Sequence, residues 1–249
     1  MNIQSAILEA TNILKDKSIL TAKLDTEILM AKALDVNREY IILNNDKNLK
    51  EINLEYFKRL VQERATRKPI AYLLNNKFFW NNEFYVDKNI LIPRPDTEMI
   101  IEQVLKFTKN KNKYSILDIG VGSGCILLSI LKERKNFYGT GIDICKNSVD
   151  ICKINAKKLL VERRVKLYKS DVDKFAQGKY DLVVSNPPYI KRCDLKYLES
   201  DVLNFEPKLA LDGGLDGLSV IRKVIKKSSE LVKKNGKLIL EIGFDQKNK

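Results

Sequence analysis

From about residue 114 onward, short apolar strands alternate with helical segments, and a glycine-rich loop follows the first strand. Strands are predicted at 115–119, 138–143, 165–168, 180–185 and 237–242, and helices at about 124–134, 146–160 and 217–234. Parallel strands need long crossover connections, so this alternation predicts a parallel sheet with right-handed helical crossovers. The fold class is therefore α/β, a Rossmann-like sheet that binds ligands at the carboxyl ends of its strands.

The residues before this sheet differ in pattern. Residues 1–75 carry apolar side chains at helical spacing and predict a small helical bundle. Aromatic, β-prone runs at 78–80 and 84–86 then predict a β-hairpin whose turn is Asn81-Asn82-Glu83. Asp96 or Thr97 is expected to cap a helix that extends to about residue 107. The chain thus divides into a helical part (1–75), a hairpin linker (76–95) and the α/β part (96–249).

Composition excludes several classes of chemistry. The chain has 249 residues, 44% hydrophobic, and can bury a sizeable core. It has no apolar run of membrane-spanning length, so we expect a cytoplasmic protein without a membrane partner. There is no histidine, which excludes a His general base and Ser-His or Cys-His nucleophiles. The four cysteines form no CxxC pair, and no metal or disulfide is expected.

The net charge of +13 has two interpretations. Residues 96–249 hold 30 Lys and Arg against 20 Asp and Glu, so most of the excess lies there. A basic field of this kind favours an acidic or nucleic-acid partner, although solvated lysine-rich faces would give the same count.

The glycine loop predicts a nucleoside-binding turn. Residues 118–124 read Asp-Ile-Gly-Val-Gly-Ser-Gly, and their backbone can approach a ligand closely before the next helix begins. Cys125 stands where a dinucleotide site needs a further glycine, so S-adenosylmethionine fits better than NAD. The predicted cofactor-binding residues here are Asp118, Gly120, Val121, Gly122, Ser123 and Gly124.

Two acidic residues complete the predicted cofactor site. Asp143 ends the second strand, 19 positions after Gly124, where an acidic residue holds ribose hydroxyls in doubly wound nucleotide sites. Asp171 follows the third strand and is predicted to accept from an adenine amino group, with Val172 packed on the ring. A surface acid at 143 and a helix cap at 171 are the alternatives.

The tetrapeptide Asn186-Pro187-Pro188-Tyr189 ends the fourth strand and predicts a pocket for a planar nitrogen. The prolines fix φ and lack N–H donors, which leaves the Asn186 side-chain oxygen and the Pro187 carbonyl free to accept from an NH2 group. Tyr189 offers a flat face for stacking, unless it is a core aromatic. A tight turn that ends a strand is the alternative for the whole tetrapeptide.

Together these motifs resemble class I S-adenosylmethionine-dependent methyltransferases that modify an exocyclic or amide nitrogen. Four further segments resemble the peptide chain release factor N5-glutamine methyltransferases over nearly the whole chain. They are Leu-Ile-Pro-Arg-Pro-Asp-Thr-Glu at 91–98, Glu-Pro-Lys-Leu-Ala-Leu-Asp-Gly-Gly at 206–214, Asp-Gly-Leu at 216–218 and Leu-Glu-Ile-Gly at 240–243. The linker of the similar ribosomal-protein glutamine methyltransferases typically has Pro-Arg-Ser-Pro, so Pro-Arg-Pro-Asp-Thr-Glu favours the release-factor enzymes.

The resemblance implies an enzyme that methylates the glutamine of the Gly-Gly-Gln loop in class I release factors and leaves S-adenosylhomocysteine. Asn186, Pro187 and Tyr189 would be catalytic, and Asn186 would also lie at the cofactor. The substrate pocket would add Pro188, Phe84 and Arg94. Residues 1–75 would recognise the substrate and 96–249 would bind the cofactor, in a monomer that needs no nucleic-acid contact.

One departure and three alternatives remain at this point. Family members continue past Leu-Glu-Ile-Gly with a helix and an antiparallel strand pair, whereas this chain stops at Lys249, so we expect those strands to be missing and strand 237–242 to be an edge. The alternatives are a ribosomal-protein glutamine methyltransferase, a nucleic-acid exocyclic-amine methyltransferase holding an extruded base, and a non-catalytic binding module.

Overall fold

A computed structural model describes residues 1–109 and 113–247 of the chain. The helices are α1 Ile3–Asp16, α2 Ala22–Leu34, α3 Arg38–Leu43, α4 Glu51–Ala65, α5 Ile70–Leu74, α6 Glu98–Phe107, α7 Cys125–Glu133, α8 Lys146–Lys158, α9 Ser200–Phe205 and α10 Ser219–Leu231. The strands are β1 Lys77–Phe79, β2 Asn82–Phe84, β3 Ser115–Ile119, β4 Tyr138–Asp143, β5 Val165–Lys169, β6 Tyr180–Ser185 and β7 Val232–Leu240. These elements form two compact units.

The first unit consists of Met1–Asn75 together with Ser200–Phe205, so it contains α1 to α5 and α9. Its core is aliphatic, with Leu14, Leu29 and Met30 fully buried between helices. The buried Arg64 on α4 donates to Asp25 on α2 and to Asp201 on α9, at 2.7 and 2.8 Å. Because an unpaired buried charge is costly, this pairing holds α9 in the helical unit.

The second unit, the other described residues, contains a five-stranded parallel sheet in the order β5-β4-β3-β6-β7. Alternate side chains of β3 and β6 pack on opposite faces, as strand geometry requires. On one face Ile116, Leu182 and Val184 pack with α7 and α8, and on the other Leu117 and Val183 pack with α10. The sheet is buried on both faces, which agrees with its near-continuous apolar strands.

Several boundaries differ from the sequence predictions. The hairpin forms, but its turn is Trp80-Asn81, which both have positive φ as a two-residue primed turn demands. Strand β7 starts five residues before the predicted residue 237, because Val232 pairs with Tyr180 and the turn-forming Asn235-Gly236 bulges out before Lys237 pairs with Leu182. Among the described residues β7 pairs with β6 alone, as expected of an edge strand.

The predicted cap of α6 is wrong. A 3₁₀ turn over Pro95–Thr97 leads into the helix, and no side chain caps it. The Thr97 hydroxyl donates instead to the carboxylate of Glu241. Within the described residues, none of the helices has both the length and the apolar character needed to cross a membrane.

Candidate active site

A cavity of about 360 Å³ lies at the carboxyl ends of β3, β4 and β6. Its walls come from the glycine loop, from the residues that follow each of these strands, from the linker and from α10. The predicted site residues that line it are Arg94, Gly120, Val121, Gly122, Ser123, Asp143, Asp171, Val172, Asn186, Pro187 and Pro188. Asp118, Gly124, Tyr189 and Phe84 are not among its lining residues.

The glycine loop has the backbone geometry that its sequence predicts. Gly120 and Gly124 have φ of +80° and +83°, which residues with a Cβ rarely adopt. A Cβ at Gly124 would lie 2.6 Å from the Cys152 sulfur, so this glycine lets α7 pack closely. At Gly120 the same space is open, and this glycine leaves room for a ligand against the backbone.

A buried amide on α8 fixes the loop from beneath. Asn155 donates to the Ser123 carbonyl at 2.8 Å and to the Tyr85 carbonyl at 3.0 Å, while its oxygen accepts from the Tyr85 amide at 2.7 Å. Asn155 therefore ties the glycine loop to the residue that follows β2. Its position in the middle of a helix gave no sequence signal for this role.

Asp143 shapes the loop as well as the cavity wall. Its two oxygens accept from the Gly122 amide at 3.0 Å and the Cys145 amide at 2.8 Å. Burial raises the pKa of Asp143, and hydrogen bonds from the amides of Cys145 and Gly122 oppose that shift. Each carboxylate oxygen keeps a lone pair beyond the amide it binds, which is what two neighbouring ribose hydroxyls need.

Asp118 occupies a different place from the one expected of a direct cofactor ligand. Its side chain lies on the α7 face of β3, and both oxygens are buried without a well-formed hydrogen bond among the described residues, the Leu127 amide being the nearby donor. Burial raises the pKa of Asp118 to about 7, the Leu127 amide lowers it, and the charge of Asp143 raises it further. Because Ile116 and Asp118 share one strand face, the alternation of β3 already places this side chain beneath the cavity.

Asp171 caps a turn and also lines the cavity. Its Oδ1 accepts from the Asp173 amide at 3.0 Å and so caps the 3₁₀ turn Val172–Lys174. Asp171 and Val172 also line the cavity, beside Ser170. The cap holds the side chain at the cavity wall, so the predicted contact with an adenine amino group stays a prediction.

Asn186 presents its amide with a defined orientation. The side-chain nitrogen donates to the Thr97 hydroxyl at 3.0 Å, and that hydroxyl donates to Oε2 of Glu241 at 2.7 Å. This bond engages the nitrogen with Thr97, which lines the cavity together with Asn186, and the Asn186 oxygen has no hydrogen-bond partner among the described residues. Pro187 and Pro188 continue the same wall.

Glu241 accepts hydrogen bonds from Thr97, which binds Asn186, and from Tyr189 at the other end of the tetrapeptide. Its Oε1 accepts from the Tyr189 hydroxyl at 3.3 Å, opposite the oxygen that binds Thr97. Burial raises the pKa of Glu241, whereas the bonds with Thr97, Tyr189 and Asn186 lower it. Tyr189 is half-buried, and its carbonyl accepts from the side chain of Gln246 at 3.0 Å. Tyr189 thus supports the tetrapeptide through its hydroxyl and carbonyl, and the predicted stacking of its ring on a substrate stays a prediction.

The linker contributes Arg94 but not Phe84. The buried carboxylate of Glu206 accepts from the Ile92 amide at 3.1 Å and binds the guanidinium of Arg94. Glu206 therefore holds the linker against the cavity. Phe84 is fully buried and packs edge-on against Phe79, so the prediction that it contacts substrate is wrong.

Burial favours the neutral thiol at one cysteine of the site, Cys125. Cys125 lines the cavity, but burial raises the pKa of its thiol to about 12. Within the described ranges, no cluster of three or more His, Cys, Asp or Glu has an arrangement that holds a metal ion.

Known proteins resemble this chain over its whole length. Residues 5–74 match the PrmC N-terminal domain, and residues 96–203 match the methyltransferase small domain. The release factor glutamine methyltransferase of Clostridium acetobutylicum is 35% identical over 100% of this chain and 88% of its own. The enzyme of the same name from Caulobacter vibrioides is 36% identical over 99% of this chain and 86% of its own. The chain belongs to the release factor glutamine methyltransferase family.

Two further matches are proteins of which this chain covers only about half. A bifunctional methyltransferase of Rickettsia bellii is 33% identical over 98% of this chain and 49% of its own. A solved S-adenosylmethionine-dependent methyltransferase of Geobacter sulfurreducens in complex with S-adenosyl-L-homocysteine has a TM-score of 0.38 at 15% identity, over 57% of this chain and 47% of that one.

Membership of the release factor glutamine methyltransferase family confirms the family predicted from the motifs. The class I methyltransferase fold, the enzymatic character and the S-adenosylmethionine cofactor are confirmed with it. Sequence reasoning missed Thr97, Asn155 and the polar role of Glu241, which lie far in sequence from the groups they bind. For Glu241 a signal existed, since the segment Leu-Glu-Ile-Gly was part of the resemblance.

Proposed function

We propose that this protein transfers a methyl group from S-adenosylmethionine to the side-chain amide nitrogen (N5) of the glutamine in the Gly-Gly-Gln loop of class I peptide chain release factors. One observation carries the chemistry. The Asn186 nitrogen is bound by Thr97, so the Asn186 oxygen is left as an acceptor at the cavity, beside Pro187. An NH2 group is the substrate that two adjacent acceptors recognise. The relatives in Clostridium acetobutylicum and Caulobacter vibrioides, both named release factor glutamine methyltransferase, support glutamine as the bearer of that group.

The residues present fit the cofactor. Open space beside Gly120 admits a ligand against the backbone, and Asp143 offers carboxylate lone pairs where ribose hydroxyls would lie. Asp171 and Val172 provide an acceptor and an apolar surface for an adenine ring. When bound, S-adenosylmethionine supplies a methyl group that its sulfonium already activates. Asp118 lies beneath the loop and would act on the cofactor only indirectly.

An amide nitrogen is a poor nucleophile because its lone pair is delocalised into the carbonyl. The two acceptors at the cavity would reduce that delocalisation. If the Asn186 oxygen and the Pro187 carbonyl each accept one N–H, they stabilise positive charge on that nitrogen and favour its pyramidal form. With the cofactor bound, this nitrogen would bond to the activated methyl carbon, and the carbon–sulfur electron pair would remain with sulfur. One of the two protons that the nitrogen already carries then leaves to water or by way of Asn186, since it becomes acidic as charge develops. Alignment supplies much of the acceleration, and no histidine is needed.

Roles for the parts of the chain follow from this function. We assign substrate recognition to the helical residues 1–75, of which 5–74 match the PrmC N-terminal domain, and cofactor binding and catalysis to residues 96–249. Arg94, held by Glu206, brings the linker 76–95 to the acceptor side of the cavity. We propose a cytoplasmic monomer whose partner is a protein, with no nucleic-acid contact required.

Mass spectrometry tests the substrate directly. The protein and labelled S-adenosylmethionine are incubated in parallel with a class I release factor, ribosomal proteins and DNA. We expect the release factor alone to gain the mass of one methylene, on the glutamine of its Gly-Gly-Gln loop. A label on a ribosomal-protein glutamine or on a base would overturn the proposal in favour of one of the two rival enzymes. No label anywhere, with no heat of cofactor binding by calorimetry, would favour a binding module.

A further inference from the structure

We propose that Glu241, acting through Thr97, is a positioning residue that determines which end of the Asn186 side-chain amide faces the cavity. This inference rests on the proposed function, because it explains how the acceptor oxygen comes to face the substrate's NH2 group.

The direction of the hydrogen bonds follows from the chemistry of the three groups. Glu241 is a carboxylate and can only accept, so the Thr97 hydroxyl must give its proton to Oε2, 2.7 Å away. With its proton committed, the Thr97 oxygen can only accept from Asn186, 3.0 Å away. The group on Asn186 that faces Thr97 must therefore be NH2, and the amide oxygen must face the other way.

Without the Glu241 carboxylate, which binds Thr97 and also contacts the Asn186 amide, that amide has no reason to prefer this orientation. A hydroxyl with a free proton binds either end of an amide equally well, because it can donate to oxygen or accept from nitrogen. The reversed amide would present two N–H donors to a substrate that is itself an N–H donor. That arrangement removes one acceptor and adds a repulsive contact, so the reversed population would be inactive.

The backbone places Glu241 where the relay needs it. Leu240 pairs with Ser185 at the end of the sheet, and the Glu241 amide donates to the Ser185 carbonyl at 3.1 Å. Glu241 and Asn186 are thus the first residues past two paired strand ends. Thr97 is 2% exposed, so water does not compete for its hydroxyl. The other carboxylate oxygen accepts from Tyr189, which fixes the rotation of the carboxylate.

A carboxylate is required rather than any polar group. In Glu241→Gln, the amide can present its own NH2 to Thr97, which then becomes a donor towards Asn186 and reverses the relay. The isosteric Thr97→Val variant removes the hydroxyl and keeps the volume of this buried site. Thr97→Ser restores the hydroxyl and is the matched control.

Single-turnover methyl transfer to the release factor tests the relay. We expect Thr97→Val to slow transfer about 10- to 100-fold, with affinity for S-adenosylhomocysteine within a few-fold, and Thr97→Ser to recover most of the rate. A double-mutant cycle separates positioning from a general structural role. In the Asn186→Ala background, Thr97→Val should cost less than about twofold, because Thr97 acts only through Asn186. Equal rates for the Val and Ser variants, or effects that multiply in the cycle, would overturn the proposal.

A second readout needs no substrate and so distinguishes failure of the relay from failure of the proposed function. In ¹⁵N NMR spectra of the cofactor-bound protein, the Asn186 NH2 protons should exchange slowly with solvent in the wild type. They should exchange at least 10-fold faster in Thr97→Val, but not in Thr97→Ser. Rapid exchange in the wild type would contradict the relay whatever the protein methylates.

Discussion

The side-chain nitrogen of Asn186 donates to the hydroxyl of Thr97 at a distance of 3.0 Å, although the two residues lie 89 positions apart in the chain. This bond joins the residue after β6 to the turn that precedes α6, and its partner Glu241 brings in the residue after β7. Three segments are therefore needed to orient one amide. The proposed chemistry depends on that orientation, because an acceptor at the cavity must be an oxygen.

Substitutions of two glycines in the same loop, Gly120 and Gly124, should have different effects. Gly120→Ala adds a methyl group in open space at the cavity and incurs only the strain of positive φ, about 1–2 kcal/mol. Gly124→Ala adds the same strain and also places a Cβ 2.6 Å from the Cys152 sulfur and 2.7 Å from Leu128. We expect Gly120→Ala to fold and bind S-adenosylhomocysteine at least 10-fold more weakly, and Gly124→Ala to have the lower melting temperature. Calorimetry measures the affinity and thermal denaturation measures the melting temperature. If Gly124→Ala had the weaker affinity and Gly120→Ala the lower melting temperature, the roles assigned to the two glycines would be wrong.

Asp143→Ala should weaken cofactor binding. It removes the acceptor for the amides of Gly122 and Cys145 as well as the group proposed to hold the ribose. Charge-assisted hydrogen bonds contribute about 1.5–3 kcal/mol each, so the dissociation constant for S-adenosylhomocysteine should rise about 10- to 100-fold or more. Asp150→Ala on the exposed face of α8 is the control and should bind normally. Equal affinities for the two variants would remove Asp143 from the site.

Asp118 should make the unliganded protein less stable as the pH rises. Burial raises its pKa from 3.8 to about 7, so between these values the unfolded chain has lost a proton that the folded protein keeps. The free energy of unfolding therefore falls across this range, by up to about 4 kcal/mol, and the loss is complete above pH 7. Asp118→Asn should be more stable than the wild type in urea at pH 8, with a smaller gap at pH 5. A difference in the free energy of unfolding between the two proteins that stays constant from pH 5 to 8 would contradict this prediction.

Phe84 should matter for folding and not for substrate contact. Phe84→Ala removes a fully buried ring and should lower the free energy of unfolding by about 3–5 kcal/mol. Phe78 lies on the same hairpin and is 66% exposed, so Phe78→Ala should change stability by less than about 0.5 kcal/mol. Phe84→Leu, assayed below its melting temperature, should keep the KM for the release factor within a few-fold. A large rise in KM with unchanged stability would restore the substrate contact that the structure rejects.

Local patterns in the sequence predicted the elements that local forces determine. The bounds of β3, β4 and β6 agree with prediction to the residue, because each is a largely buried segment that ends at a polar or glycine-rich turn. The positions of Asp143 and Asn186 at the cavity followed from the rule that parallel strands present their carboxyl ends together. Local patterns could not predict which side chains pack in the core. An aromatic such as Phe84 is equally suited to a pocket or a core, and only the tertiary structure decides.

Long-range polar partners were likewise invisible in the sequence. Nothing in a single chain indicates that Glu206 binds the linker at Ile92 and Arg94, 114 and 112 positions away. Thr97 had a plausible local role as a helix cap, but its backbone is already helical in the 3₁₀ turn, whereas a capping side chain reaches the helix amides from extended backbone.

The most direct test of the central claim is the rate of a single methyl-transfer turnover by Asn186→Ala, measured together with its affinity for S-adenosylhomocysteine. Asn186 lines the cavity with its oxygen unpaired among the described residues, so its loss should remove one preorganised acceptor and leave the loop from Gly120 to Ser123 intact. We predict a rate at least about 10²-fold lower and an affinity within a few-fold of the wild type. An unchanged rate would contradict the account, because the amide nitrogen would then be activated by some other group.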